Sequence, residues 1–145
     1  MDTSIRGIEC TLEEDAIESL LRYFSEDDSS IVVPCCMING EGIETQNADS
    51  VWSPAELCKL SQESILELVL QIYPPNSLPS KIETYADFVE SECSICVIYY
   101  DCGMLEMYIK NLDDFNRIKS KLISLHVQDM IIKTALNDKR VKMCL

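Results

Sequence analysis

The run Ser94 to Tyr100 constrains the fold more than any other stretch of this chain. It is an almost unbroken series of apolar and β-branched side chains, which predicts a central strand buried on both faces. Asp101-Cys102-Gly103 supplies a tight turn, and Met104 to Lys110 returns as the hairpin partner. The other segments are therefore read for what they add to this hairpin.

Ile5 to Cys10 reads as a strand that runs directly into a helix. Thr11 and Glu14 have the spacing of a capping box, and Leu12, Ala16, Ile17, Leu20, Leu21 and Phe24 form one apolar stripe behind it. Glu13, Asp15 and Glu18 sit toward the helix N-terminus, where the macrodipole favours negative charge. The polar run Ser25 to Ser29 ends the helix. Ile31 to Ile38 is a second strand, and Pro34 within it calls for an edge position or a bulge. Asn39 to Ser50 reads as a loop. Ser53-Pro54-Ala55-Glu56 opens a short helix that reaches about Leu60.

Leu66, Leu68, Leu70 and Ile72 alternate with Glu67, Val69 and Gln71, which favours a strand over Ser64 to Tyr73 although leucine and glutamate also suit a helix. Pro74 to Pro79 breaks it. Thr84 with Asp87 caps a short helix holding Tyr85, Phe88 and Val89. Asn111 with Asp114 caps the last helix, whose inner face is Leu112, Phe115, Ile118, Leu122 and Leu125. Met130 to Ile132 begin another strand, Asn137-Asp138 turn the chain, and Val141 to Leu145 close a terminal hairpin. This order is not a regular alternation of strand and helix. It predicts one α+β domain over residues 1–145: a largely antiparallel sheet packed against two main helices, with short additional helices.

Charge divides the chain unevenly. Residues 1–109 carry 21 Asp and Glu against four Lys and Arg, whereas residues 110–145 carry eight Lys and Arg against four acids. A body this acidic repels phosphate backbones and anionic membrane surfaces, which argues against nucleic acid or a membrane as partner and favours a basic one. No apolar run approaches the roughly 20 residues that span a bilayer, and the first residues lack the pattern of a signal peptide, so a cytoplasmic location is expected. The eight cysteines are accordingly read as reduced thiols.

Motifs that carry chemistry are sparse. Cys93 and Cys96 form a C-x-x-C pair with Cys102 beyond it, but tetrahedral zinc wants four converging ligands and no second pair is present. No metal or cofactor is assigned. A redox C-x-x-C opens a helix, whereas this one leads into a strand. His126 is the single histidine and follows the last helix, where its charge suits the helix C-terminus. Glu90 and Glu92 read as a solvated face, and Tyr99, Tyr100 and Tyr108 as cross-strand partners on the hairpin. The chain holds no G-x-G-x-x-G, no phosphate-binding loop and no G-x-S-x-G.

The segment Thr84-Tyr85-Ala86-Asp87-Phe88-Val89-Glu90-Ser91-Glu92-Cys93 resembles a small bacterial family known as domain of unknown function 2691. The strand that follows, Asp101 and the Tyr108-Ile109-Lys110 end of the hairpin share the likeness. So do Ile5-Arg6-Gly7-Ile8 before the first helix and the Asn137-Asp138-Lys139-Arg140 turn. Residues 30–63 show no such likeness. The resemblance implies a cytosolic protein of one domain and brings no activity, ligand or catalytic residue with it.

Two functional expectations follow. The first is a non-enzymatic interaction domain whose acidic face recognises a basic protein and masks it, as acidic immunity proteins do for basic toxins. The second is an enzyme or small-molecule binder with a pocket beside the central hairpin, for which Asp101, Cys102 and Tyr108 are the candidates. Self-association as a homo-oligomer through an exposed strand edge, or a charge that serves solubility alone, are further readings.

Overall fold

The protein was analysed as a computed structural model, which describes residues 5–26, 28–38, 41–42, 51–60, 64–101, 103–140 and 142–143. Eight strands lie in one sheet: β1 Ile5–Thr11, β2 Ser30–Ile38, β3 Glu41–Gly42, β4 Val51–Trp52, β5 Ile65–Tyr73, β6 Ile95–Tyr100, β7 Met104–Ile109 and β8 Gln128–Thr134. Four helices accompany them, α1 Glu14–Ser25, α2 Pro54–Leu60, α3 Tyr85–Glu90 and α4 Leu112–Ser124. The strand order is β3-β2-β5-β6-β7-β1-β8, with β4 also on β2, and every pairing is antiparallel. This is the α+β architecture expected from the sequence. No helix among the described residues is long and apolar enough to cross a membrane.

β6 and β7 stand at the middle of the sheet, as the apolar run predicts, with Cys96 opposite Tyr108 and Ile98 opposite Glu106. Alternation then divides the side chains between two faces. Ile8, Leu68, Leu70, Val97, Tyr99, Leu105 and Met107 point to one face, where Leu20, Leu21 and Phe24 of α1 and Ile118 and Leu122 of α4 close the main core. Val69, Cys96, Ile98 and Tyr108 point to the other, covered by Ile82, Phe88 of α3 and Met143. The loop after β5 is tied to that second face: Tyr73 donates its hydroxyl hydrogen to Gln71, and its oxygen accepts the Ser80 N–H at 3.1 Å.

The helix ends follow their caps in three cases. Ser53 and Glu56 exchange reciprocal bonds at the start of α2, Thr84 and Asp87 form a full capping box on α3, and Asn111 accepts the Asp113 and Asp114 N–H groups at the start of α4. Pro34 lies within a bulge of β2 between Val32 and Cys35, where the missing donor is harmless.

Four sequence expectations are corrected. Thr11 does not cap α1: it is the last residue of β1, opposite Met104, and Glu13 stands at the cap position without a side-chain bond. The next amide, that of Leu12, is taken by Gly103 O at 2.7 Å, so Leu12 lies between β1 and α1 rather than on the helix, though it is buried in the same core. Leu112, placed on the inner face of α4, is exposed because it occupies the first helical position beyond the cap. Of the residues expected to close a terminal hairpin only Lys142 and Met143 are described, and these two do not pair with β8, which pairs with β1. They cross the second face of the sheet, where the Met143 N–H donates to Glu83 O at 2.9 Å and Lys142 bridges Thr84. Val141, Cys144 and Leu145 lie outside the described residues, as does most of the loop expected over residues 39–50.

Candidate functional site

The second face carries the densest cluster of ionisable groups. Glu9 and Glu106 face one another across β1 and β7, and both emerge on this side of the sheet. Burying two carboxylates side by side is strongly unfavourable unless cations reach them. Lys133 of β8 supplies the first: its ammonium contacts Glu106, Asp138 at 3.2 Å and Glu9 at 3.6 Å, and the side chain is buried. Arg140 supplies the second, donating from Nε at 2.9 Å and from Nη2 at 2.5 Å to Glu106 Oε2. Arg6 supplies the third, 3.2 Å from Asp138 and stacked 4.1 Å above the Tyr85 ring. Three carboxylates thus meet three cations, and no net charge is left in the cluster.

Tyrosines complete the arrangement. Tyr108 donates to Asp138 Oδ1 and Tyr100 donates to Glu106 Oε2, each at 2.9 Å. Burial alone would raise Glu106 and Asp138, but bonds from Arg140, Lys133 and Tyr108 outweigh it and hold both carboxyls below their ordinary range. Burial would lower Lys133, yet its bonds to Glu106 and Asp138 hold it above the ordinary lysine value. Burial, reinforced by the carboxylates that accept their protons, raises Tyr100 and Tyr108. Glu106, Asp138, Lys133, Tyr100 and Tyr108 are therefore each driven to one protonation state at neutral pH. A general acid or base needs a pKa near the working pH, which this cluster works against. Its direct effect is mechanical: it fastens Asp138 and Arg140 onto the sheet.

Gly7 makes room for this. A Cβ there would stand 1.7 Å from Met107 O, so β1 approaches β7 at this point only because residue 7 has no side chain. The pairing of β1 with β8 is irregular between Ile5 and Gly7, and both Arg6 and Glu9 reach the cluster.

The residues singled out from the sequence are dispersed. Asp101 is exposed at the hairpin turn with a left-handed backbone, φ 50°. Tyr108 is buried near the opposite end of β7 and committed to Asp138. Cys102 lies outside the described residues. Cys93 and Cys96 join the same apolar cluster, and the Cys93 thiol donates to Ile95 O at 3.2 Å while burial pushes its pKa up to about 12. Cys10 and Cys36 are likewise pushed up by burial to about 12, far from the low values of reactive thiols. Among the described residues no three His, Cys, Asp or Glu side chains gather to hold a metal. The ion cluster went unread because its members are scattered over 135 positions. A local signal exists at Glu106, a charged residue in the otherwise apolar β7, and at Lys133, which follows Met130-Ile131-Ile132 in β8.

Two concavities lie elsewhere. A cleft of about 340 Å³ at the far end of the hairpin is lined by Tyr23, Phe24, Pro74, Ser94, Asn111 and Arg117, among others. A shallow groove of about 430 Å³ runs along the start of α2, where Asp28 and Glu56 flank Trp52 and Val51. The described surface is acidic: among the described residues twelve Asp and Glu are exposed against six Lys and Arg.

No curated protein and no solved structure matches the chain. A match does cover residues 45–144, taking in α2 to α4, β4 to β8 and the fastened C-terminal segment, and stops short of the Ile5-Arg6-Gly7-Ile8 likeness. By that match the chain belongs to the DUF2691 family, described as a protein of unknown function.

Proposed function

We propose that this chain is a non-enzymatic interaction domain that recognises a basic protein partner through its exposed carboxylates. The observation that carries the reading is where the charges end up. The buried cluster takes in as many carboxylates as cations, so the acidic excess of the chain stays outside it, with twelve exposed Asp and Glu against six Lys and Arg among the described residues. The groove at α2 is suited to a Lys or Arg side chain: Trp52 lines it as an aromatic surface, and Asp28 and Glu56 in the same lining offer opposite charge. An immunity-like role, in which such a domain masks a basic toxin, fits the same features.

The test is a pull-down from native extract at low salt with elution by raised salt, comparing the wild type with Asp28→Lys/Glu56→Lys and with Asp101→Lys as control. The reading expects a basic protein released by salt, retained about tenfold less by the groove variant and normally by the control. Equal retention by all three contradicts it. A second reading, a small-ligand binder, is favoured by one observation. The Tyr23 hydroxyl is buried beside the 340 Å³ cleft without a hydrogen-bond partner among the described residues, and a ligand oxygen would satisfy it. Thermal shifts with small carboxylates, reduced in Tyr23→Phe, test that alternative.

A further inference from the structure

β8 is the open edge of the sheet, since it ends the strand order and pairs with β1. The direction of its outer hydrogen-bonding groups follows from the ladder. The Leu12 N–H donates to Gly103 O on the β7 side, so even-numbered residues of β1 turn toward β7 and odd-numbered ones toward β8. Ile132 stands opposite Ile8, an even residue, and so directs its N–H and C=O away from β1. Thr134 lies beyond the register shift that sets it opposite Ile5; its C=O accepts the Asp138 N–H at 3.0 Å, and its N–H is turned off β1 toward Asn137.

One side chain occupies both of those outward positions. Asn137 donates from Nδ2 to Ile132 O at 3.0 Å, and its Oδ1 accepts the Thr134 N–H at 2.7 Å. A neighbouring strand would make the same pair of bonds with its peptide groups. At the other end of β8, Asp129 has φ 55°, which ends the extended geometry. Between these two stops lie Ile131 and Ile132, 49% and 36% exposed. An edge that combines outward backbone groups with exposed isoleucines is a template for another strand unless something blocks it.

We propose that Asn137 is a strand plug that keeps β8 from pairing with β8 of a second copy of this chain. The second copy is the fitting occupant because the edge is self-complementary. A two-fold antiparallel register centred on Ile132 sets Ile132 against its own copy and Met130 against Thr134, and it requires the same Ile132 C=O and Thr134 N–H that Asn137 holds.

Sedimentation velocity on the full chain, at matched concentration, tests this. Asn137→Ala is expected to double the sedimenting mass relative to the wild type, and adding Ile132→Lys to that variant is expected to reverse the change by setting two lysines face to face. Asn137→Asp covers the case in which alanine disorders the turn: it keeps an acceptor for Thr134 N–H, loses the donor to Ile132 O, and is expected to move mass in the same direction with an unchanged circular dichroism spectrum. Unchanged mass in the folded variants overturns the proposal. So does an increase that Ile132→Lys leaves intact, because association would then use another surface.

Discussion

Under α1 and α4 the central strands present Ile8, Val97, Tyr99, Leu105 and Met107 to Leu20, Leu21, Ile118 and Leu122. On the opposite face the same strands present Glu9, Cys96, Ile98, Glu106 and Tyr108, and part of that surface is closed by ions rather than by carbon. The first face gains stability in proportion to area, roughly 25 cal/mol per Å², without demanding any one partner. The second works differently. Each buried ion costs several kcal/mol to dehydrate, and its attractions return that cost only while the partners are in place. One face is a sum of many small terms; the other behaves as a unit that locks Asp138 and Arg140 onto the sheet.

The largest expected effect breaks that unit. Lys133→Met removes the cation that Glu9, Glu106 and Asp138 share, two of these carboxylates being buried, and urea unfolding at neutral pH is expected to show a loss of about 3–5 kcal/mol. Leu20→Ala on the helix side is expected to cost about 3 kcal/mol through a cavity. Acidity separates the two. The carboxyls of Glu106 and Asp138 are held low, so their contribution is complete above the ordinary carboxylate range and is lost as pH falls through their folded values, below about pH 4. Lys133 is held high, so its contribution is complete up to about pH 10 and is lost above that. The cost of Lys133→Met is therefore expected to shrink by at least half between pH 7 and pH 3 in the same unfolding assay, while that of Leu20→Ala stays constant. A Lys133→Met cost that ignores pH removes the distinction between the faces.

The smallest effect sharpens the comparison from the helix side. Asn111→Ala removes the cap of α4 and is expected to lower the stability by about 1 kcal/mol, measured by thermal unfolding, with no change in its pH dependence.

The same contrast explains what was legible in the sequence. Leu20, Leu21 and Phe24, and likewise Phe115, Ile118 and Leu122, recur at helical spacing, so the helix-covered face is written in local periodicity. Ser53, Thr84 and Asn111 announce their helices because a cap acts within three residues. Thr11 misleads for the same local reason: its spacing to Glu14 suits a cap, yet its place opposite Met104 is set by a strand more than 90 positions away. The ion cluster lies beyond such reading. Arg6, Glu106 and Asp138 meet only after β1 has inserted between β7 and β8, and nothing in the spacing of the three encodes that contact. Of the hairpin candidates, Asp101 and Tyr108 share a local segment but stand near opposite ends of β7, which a turn motif alone does not reveal.

The most direct measurement of the central claim is a double-mutant cycle between Glu106→Ala and Lys133→Ala, read by urea unfolding at neutral pH. If the charged face acts as a unit, each single change is costly and the double change costs about 3 kcal/mol less than their sum. Costs that add to within about 0.5 kcal/mol would show the two residues acting independently and would contradict the account.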